Sequence, residues 1–238
     1  MNGGRPGDAS KATDVRAMFS RIARRYDVMN SLMTGGRHHA WRRAAAREVC
    51  AAPTGPVLDL ATGTADLALA IRAHDPSRSV VGADFAEPML TAGREKLIAR
   101  NETRVRLLAA DALTLPFPDA TFACVTSAFL LRNLEDLSAG LAEMRRVTRR
   151  GGRVVNLEIT QPSVPGWSTV FGLYFHRVVP AVGAVVAGDR QAYTYLPHSV
   201  DRFVTPAELA DAMERAGLYD IRYRRLGLGT LALHVGGV

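Results

Sequence analysis

The sequence predicts an α/β protein with a mostly parallel seven-stranded sheet, helices on both faces and an antiparallel strand at the C-terminal end. From Pro56 onward, short continuous apolar runs alternate with amphipathic stretches of helical length. This alternation is typical of parallel strands that are buried on both faces. The last two strand-like runs, 220–226 and 230–235, are joined by a short Gly-Leu-Gly link, which favours antiparallel pairing of the two.

The predicted elements follow one another in a regular order. Residues 12–50 are typical of two helices separated by a pair of glycines, and the alternation begins after them. An apolar and aromatic segment, 162–201, interrupts the alternation. The helix that follows it begins with a capping threonine, Thr205, and ends at Gly217. The first five strands are predicted at 56–61, 79–84, 105–111, 121–129 and 153–160, with helices at 65–73, 87–100 and 137–148.

We expect a single domain, 12–238, with N-terminal helices over 12–50 and a substrate-side insertion over 162–201. Residues 1–11 are polar and rich in glycine, so we expect a flexible tail and not a targeting segment. The longest apolar stretch, 164–187, contains a His-Arg pair, a proline and several glycines. The sequence therefore predicts that the chain does not span a membrane.

The charge pattern argues against a nucleic-acid partner. The chain has 30 basic and 23 acidic residues and a net charge of +7, but only Lys11 and Lys96 are lysines. The arginines are scattered in pairs and form no long basic run, whereas nucleic-acid binding favours a continuous basic face. The two cysteines, Cys50 and Cys124, have no metal-binding or disulfide spacing, so we expect no metal and a cytoplasmic protein.

Acidic residues end three successive predicted strands. They are Asp59, Asp84 and Asp111, and they share one edge of the sheet because the strands are parallel. Gly63 lies in the first strand-to-helix turn, where it lets the backbone approach a ligand. Asp84 follows Gly63 by 21 residues, a position from which a carboxylate binds the two hydroxyls of a ribose. Only one glycine of a dinucleotide fingerprint is present, and neighbouring carboxylates disfavour phosphates, so the pattern argues against NAD and ATP.

The acidic strand end, the Gly-Thr turn, the acidic second strand and the Ala-Asp-Ala run at 110–112 resemble the Rossmann-like class I methyltransferases. The resemblance implies S-adenosylmethionine as cofactor. It also implies that Asp59, Gly63 and Thr64 lie near its methionine part, Asp84 near its ribose, and Asp111 with Ala112 near its adenine. We expect Tyr26, Phe85 and Met89 to complete this site. Alanine stands at Ala61 and Ala65, where family members often carry glycine.

A second resemblance covers residues 14–235. The Y-D-V-M-N run at 26–30, the F-L-L-R-N run at 129–133 and the A-L-H run at 232–234 resemble the ubiquinone/menaquinone biosynthesis C-methyltransferases. His38 and Trp41, the Y-T-Y-L run at 193–196 and the Q-P pair at 161–162 extend the similarity.

Three positions depart from that family's pattern. Leu130 stands where the family has glycine, and Ala128 and Thr34 stand where serine is common. Ala128 and Leu130 fall on the predicted substrate side of the sheet. The departures therefore bear on which acceptor is methylated more than on the reaction itself.

The family resemblance implies methyl transfer to a ring carbon of a polyprenylated quinol, foremost demethylmenaquinol to menaquinol. We expect Arg132 to stabilise the phenolate form of the ring, since an arginine is a poor base. Arg132 could instead cap a strand or pair with Glu158. Tyr195, His176 and His198 are candidates for the base, but no spacing singles one out, and each could simply be packed.

The segment 162–201 suits a lipophilic quinol, since its apolar residues could form a wall for the polyprenyl tail or a face that meets the inner side of the membrane. The same residues could also form plain core or a homodimer contact. Three other functions stay open. They are a methyltransferase of aromatic or isoprenoid secondary metabolites, a non-catalytic cofactor-binding scaffold of a quinone-synthesis complex, and an RNA methyltransferase, which the scattered charge disfavours.

Overall fold

A computed structural model describes residues 8–162, 164 and 166–238 of the chain. Residues 1–7 of the predicted N-terminal tail lie outside the described residues. Within the described residues, seven strands form one sheet. They are β1 (Val57–Leu60), β2 (Val80–Asp84), β3 (Val105–Ala109), β4 (Phe122–Ala128), β5 (Thr148–Ile159), β6 (Tyr219–Leu226) and β7 (Leu231–Gly237).

The strand order is β3-β2-β1-β4-β5-β7-β6. Strands β1 to β5 pair in parallel, and β7 lies antiparallel between β5 and β6. The predicted fold class is therefore confirmed. The order reverses on the two sides of β1, and in open α/β sheets this reversal leaves a crevice beyond the carboxyl ends of the strands.

Helices cover both faces of this sheet. The described helices are α1 (Asp8–Ile22), α2 (Tyr26–Thr34), α3 (His38–Cys50), α4 (Asp66–His74), α5 (Glu87–Ala99), α6 (Leu137–Val147), α7 (Trp167–Leu173), α8 (Val179–Val182), α9 (Arg190–Asp201) and α10 (Pro206–Arg215). The prediction of two helices over 12–50 is wrong, because three form there. A 3₁₀ turn, Ala23–Arg25, separates α1 from α2 without a glycine or a side-chain cap that the sequence could have revealed.

Successive residues of β1 point into different cores. Val57 belongs to a buried cluster with α3 and α4, whereas Leu58 belongs to a cluster with α6 and α10. This alternation follows from the twofold side-chain period of a strand. A third buried cluster joins the N-terminal helices to α7–α9 and contains Met18, Met29 and Phe175. The third cluster lies over the carboxyl edge of the sheet and covers the crevice there.

The apolar insertion is a nearly continuous helix. Between α7 and α8 lies a π-helical turn, Tyr174–Val178, and a second one, Gly183–Ala187, follows α8. The proline of this segment, Pro180, stands in the first turn of α8, and the π-helical turn before it accommodates the missing backbone donor. By length and composition, Trp167–Val186 could cross a membrane, with a mean hydropathy of 1.5 and 22% of the window buried.

Candidate active site

The turn between β1 and α4 is held by Asp84. The carboxylate of Asp84 accepts hydrogen bonds from the backbone N–H groups of Gly63 and Ala86, both at 2.9 Å. Gly63 has a φ of +55°, and Ala61 and Ala65 have φ of 50° and 66°. The two alanines that replace family glycines therefore adopt a left-handed conformation that costs an L-residue about 1–2 kcal/mol. The turn keeps the glycine-like shape that a close ligand approach requires.

The three predicted carboxylates differ in their surroundings. Asp59 is 1% exposed, accepts a 2.7 Å hydrogen bond from Thr62 Oγ1, and burial raises its pKa to about 7. Burial also raises the pKa of Asp84. Asp111 is exposed and accepts a 2.9 Å hydrogen bond from the backbone N–H of Leu113. Asp84 still has unused acceptor lone pairs, because a carboxylate offers about four.

A cavity of about 830 Å³ lies at this edge of the sheet, and we call it the edge cavity. A smaller space of about 280 Å³, the side cavity, shares four lining residues with it, namely Tyr26, Ala61, Gly63 and Ala128. Every residue predicted for the cofactor lines one of the two. The edge cavity is lined by Tyr26, Gly63, Asp84, Phe85, Met89, Asp111 and Ala112, and the side cavity by Asp59 and Thr64 together with Tyr26 and Gly63.

An ion-pair cluster fastens α2 to this turn. The ammonium of Lys96 on α5 lies 2.5 Å from Asp27, 2.7 Å from Asp66 and 2.9 Å from Thr64 Oγ1. Thr64 Oγ1 in turn donates to Asp27 at 2.6 Å. Lys96 is not among the residues predicted from the sequence, although the sequence carried a signal. In a chain with only two lysines, Lys96 stands where a compact ammonium meets three acceptors.

A second large space, the apolar cavity of about 980 Å³, lies between the N-terminal helices and the insertion. Its lining is dominated by apolar and aromatic side chains such as Met18, Phe171 and Phe175. The apolar cavity adjoins the edge cavity, since the two share Phe19, Tyr26, Phe129 and Asn133.

Three residues of the apolar cavity carry a buried polar atom that has no hydrogen-bond partner among the described residues. These atoms are Asn30 Nδ2, Arg132 Nε and the hydroxyl of Tyr193. Tyr193 is 4% exposed and Arg132 is 9% exposed. Leaving such a group unsatisfied costs about 1–3 kcal/mol, so each calls for a partner. The apolar cavity is therefore lined by three residues that each carry a donor without a partner among the described residues.

Arg132 is held from two sides. Its Nη1 donates to Glu158 at 2.8 Å, and both side chains are buried. Burial raises the pKa of Glu158, although Arg132 opposes that shift. The guanidinium of Arg132 also lies 5.7 Å from the centroid of the Phe129 ring, and that of Arg42 lies 5.5 Å from the same centroid. The pair with Glu158 that the sequence left as an alternative is therefore present, and Nε of Arg132 stays free of it.

The residues predicted as bases do not come together. Tyr195 lines the apolar cavity, donates to Asn133 Oδ1 at 3.1 Å, and burial raises the pKa of its hydroxyl. His176 lies 3.3 Å from Asp201 in a separate groove, and His198 is exposed, with its ring 6.2 Å from that of His176. Neither of these histidines lines the apolar or the edge cavity.

The histidine that does line the apolar cavity is His38. Its Nδ1 lies 2.6 Å from Arg42 Nη1, and its Nε2 lies 3.0 Å from Ser31 Oγ. An arginine only donates, so Nδ1 must be the acceptor and Nε2 carries the proton. Burial, assisted by Arg42, lowers the pKa of His38 to about 4. The imidazole is therefore neutral near pH 7, and its acceptor nitrogen is occupied.

Comparison with known proteins gives one consistent result. A model of the ubiE/COQ5 methyltransferase family matches residues 8–237. The demethylmenaquinone methyltransferase of Thermus thermophilus is 46% identical over 92% of this chain and 99% of its own length. That of Deinococcus radiodurans is 45% identical over 95% and 93%. A protein of Methylobacterium nodulans, named ubiquinone/menaquinone biosynthesis C-methyltransferase UbiE, is 41% identical over 93% and 89%.

Solved structures share the fold at much lower identity. A SAM-dependent methyltransferase of Thermotoga maritima, described as a possible histamine N-methyltransferase, has a TM-score of 0.65 and 16% identity over 93% of this chain and 98% of its own. The [4+2]-cyclase SpnF has a TM-score of 0.66 and 16% identity over 91% and 75%. A methyltransferase and a cyclase thus share this architecture, so these matches support the fold alone.

Proposed function

The chain belongs to the ubiE/COQ5 methyltransferase family, and from this premise we propose that it transfers a methyl group from S-adenosylmethionine to a ring carbon of demethylmenaquinol. The observation that carries the choice of acceptor is the apolar cavity with its three unpartnered donors, directly beside the edge cavity. A quinol brings two oxygen atoms on a flat apolar ring, which suits such a space. S-adenosylmethionine is the cofactor of this enzyme family.

We propose that the edge and side cavities hold the cofactor. Asp84, fixed by two backbone hydrogen bonds, accepts the ribose hydroxyls. Asp111 with Ala112 faces the adenine end. Gly63 permits close approach, since a Cβ added there would meet only Tyr26 at 3.9 Å, but its φ of +55° disfavours any other residue. When bound, the cofactor supplies an electrophilic methyl group on its sulfonium, and the transfer leaves S-adenosylhomocysteine and a proton from the ring.

The residues of the apolar cavity orient the ring and stabilise its charge. Arg132 Nε donates to the quinol oxygen next to the methylated carbon and stabilises the phenolate form, which makes that carbon nucleophilic. Asn30 and Tyr193 donate to the second oxygen and fix the ring in its plane. Phe19 and Tyr26, shared by both cavities, exclude water from the path between donor and acceptor.

The proton that the quinol loses passes to water. Among the described residues that line the apolar cavity, His38 is the one histidine, its acceptor nitrogen is bound by Arg42, and no carboxylate is present. Tyr195 already donates to Asn133. Because Arg132 favours the phenolate, deprotonation of the quinol needs no strong base, and Tyr195 serves to hold Asn133 at the junction of the two cavities.

Mass spectrometry of the reaction product tests this function. Demethylmenaquinol is incubated with the protein and S-adenosylmethionine under reducing conditions, and a product heavier by one methylene is expected only when both are present. A benzoquinol acceptor is the second candidate, because one relative is named for ubiquinone as well as menaquinone biosynthesis. Methylation of the benzoquinol alone, or of an unprenylated aromatic compound alone, would contradict the first choice.

We further propose that the enzyme binds the inner face of the membrane as a peripheral protein. Apolar side chains of the insertion helix and of α2 are exposed together, since α2 packs against the π-helical turn Gly183–Ala187. Exposed arginines, including Arg24, Arg25 and Arg177, surround them, as binding to anionic lipid favours. The exposed fractions are 84% for Val185, 64% for Leu173, 59% for Val28 and 54% for Leu32.

Vesicle co-sedimentation tests the membrane contact. Wild-type protein should sediment with vesicles that contain anionic lipid, and Val185→Asp with Leu173→Asp should abolish this. Ile98→Asp is the matched control, because Ile98 is 76% exposed on α5, away from the insertion. Equal sedimentation of all variants would contradict the proposal, and so would a stable dimer that buries this face and does not bind vesicles.

A further inference from the structure

We propose that Arg42 and Asp66 bind the two charged ends of the cofactor's amino-acid group in the side cavity, Arg42 the α-carboxylate and Asp66 the α-ammonium. The inference rests on the proposed function in that the edge cavity holds the adenosine part. The side cavity continues from the edge cavity past Gly63 and Ala128, and both charged residues line it. Its volume of about 280 Å³ is small and suits an amino-acid chain.

The two side chains form a long ion pair with no hydrogen bond between them. Arg42 Nη2 lies 3.9 Å from Asp66 Oδ2, which is too far for a hydrogen bond. Oδ2 is buried and has no hydrogen-bond partner, whereas the other oxygen of Asp66 accepts from Lys96 at 2.7 Å. A buried carboxylate oxygen without a donor is costly unless a ligand supplies one. An ammonium group is the donor that fits a charged acceptor best.

Arg42 is the cation whose Nη2 has no hydrogen bond to another described residue. The three donors of Lys96 are matched by Asp27, Thr64 and Asp66. Arg42 uses Nη1 for His38, and its Nη2 makes only the long contact to Asp66. The Arg42 side chain is 6% exposed and lies over the Phe129 ring, so the guanidinium is held in place before any ligand arrives.

Charges of both signs lie at the side cavity, as the two ends of an amino acid require. Arg42 and Lys96 carry two positive charges, and Asp27 and Asp66 carry two negative ones. Although burial opposes ionisation, Arg42 and Lys96 hold the pKa of Asp66 below its usual value, so the carboxylate is charged at neutral pH. A separated pair of opposite charges in one small cavity is complementary to a zwitterion.

Calorimetric binding of three ligands tests the assignment. S-adenosylhomocysteine has both charged groups, decarboxylated S-adenosylmethionine has only the ammonium, and methylthioadenosine has neither. Arg42→Met should weaken S-adenosylhomocysteine about 10- to 100-fold and leave the other two within about threefold. Asp66→Asn should weaken the two ligands that carry the ammonium and spare methylthioadenosine. Arg43→Met, on the exposed side of α3, is the matched control and should change none.

The ratio of affinities within one variant separates binding from folding. A variant that is merely misfolded loses all three ligands by the same factor, and that result for both Arg42→Met and Asp66→Asn would overturn the inference. Unchanged affinity for S-adenosylhomocysteine in Arg42→Met would overturn it as well. If the wild-type protein bound none of the three ligands, the proposed function would fail at the cofactor itself, which is a different outcome.

Discussion

The edge cavity and the apolar cavity are built in different ways. The edge cavity lies at the strand ends, and its key carboxylate, Asp84, is bound by two backbone N–H groups. The apolar cavity is enclosed by helices from the N-terminus and the insertion, and polar atoms of Asn30, Arg132 and Tyr193 in it are unpartnered. The edge cavity thus has its key carboxylate fixed by the sheet and the turn beside it, whereas the apolar cavity is enclosed by helices and lined by residues with unpartnered donors.

The largest effect is expected from a change of Arg132. We expect Arg132→Met to lower kcat about 10²- to 10³-fold, as loss of one donor to developing charge does. S-adenosylhomocysteine affinity should stay within about threefold, because Arg132 lines the apolar and not the edge cavity. Steady-state kinetics with demethylmenaquinol and calorimetry with S-adenosylhomocysteine measure the two quantities.

The control for Arg132 concerns stability. Removing Arg132 leaves Glu158 as a buried unpaired charge, which costs about 3–5 kcal/mol. The double variant Arg132→Met with Glu158→Gln removes both charges and should recover most of the lost stability but none of the activity. If activity returned together with the melting temperature, Arg132 would be a structural residue and the proposed role would be wrong.

The second test concerns the edge cavity itself. Asp84→Ala should weaken S-adenosylhomocysteine about 10- to 100-fold, because it removes the predicted ribose acceptor and frees the N–H groups of Gly63 and Ala86. Asp211→Ala on the exposed face of α10 is the control. Equal affinity in wild type and Asp84→Ala would show that the cofactor lies elsewhere.

The two cavities also differ in how far the sequence predicted them. The strand ends can be predicted from the sequence, because apolar runs mark the strands and a parallel sheet brings their carboxyl ends to one edge. Hence Asp59, Asp84 and Asp111 could be placed together from sequence alone. The apolar cavity depends on how helices pack, which no local pattern specifies. The spacing of His176 and His198 gave no hint that both lie outside the apolar cavity.

Some missed residues did carry a signal. Asp27 lies inside the Y-D-V-M-N run that carried the family resemblance, and Lys96 is one of two lysines in the chain. What the sequence could not supply was their meeting with Thr64, across 32 and 37 residues. Arg132 lines the apolar cavity, and the sequence could not reveal that Glu158 takes its Nη1 and leaves its Nε without a partner among the described residues.

Lys96 ties α2 to the turn after β1, so its removal should affect both cavities. Lys96→Met frees Asp27 from α5 and loosens α2, which contributes Tyr26 to both spaces. We expect S-adenosylhomocysteine affinity and the KM for the quinol each to worsen about 3- to 10-fold. Arg94→Met, exposed on the same helix, is the control. A change confined to one cavity would show that α2 is not coupled to the turn through this cluster.

The smallest effect expected is the pH dependence of stability from His38, which links the apolar cavity to Arg42. Burial lowers its folded-state pKa from 6.5 to about 4. As the pH falls, His38 therefore takes up its proton in the unfolded chain before it does so in the folded protein. The stabilisation from neutral His38 is complete above about pH 6.5 and is lost as the pH falls towards 4. His38→Gln keeps a donor and an acceptor but does not titrate. The stability advantage of wild type over His38→Gln should thus shrink by about 1–3 kcal/mol from pH 7.5 to 4.5.

The stability of wild type must be compared with that of His38→Gln at each pH, because Asp59 makes stability change with pH in the opposite direction. Its folded-state pKa is raised from 3.8 to about 7 by burial, so between these values the folded protein holds the extra proton and stability falls as the pH rises. Wild type and His38→Gln share Asp59, and its contribution cancels in their difference. Urea unfolding at a series of pH values measures that difference. A constant difference from pH 7.5 to 4.5 would mean that His38 has the same pKa in the folded protein as in the unfolded chain, and that Arg42 does not take its Nδ1.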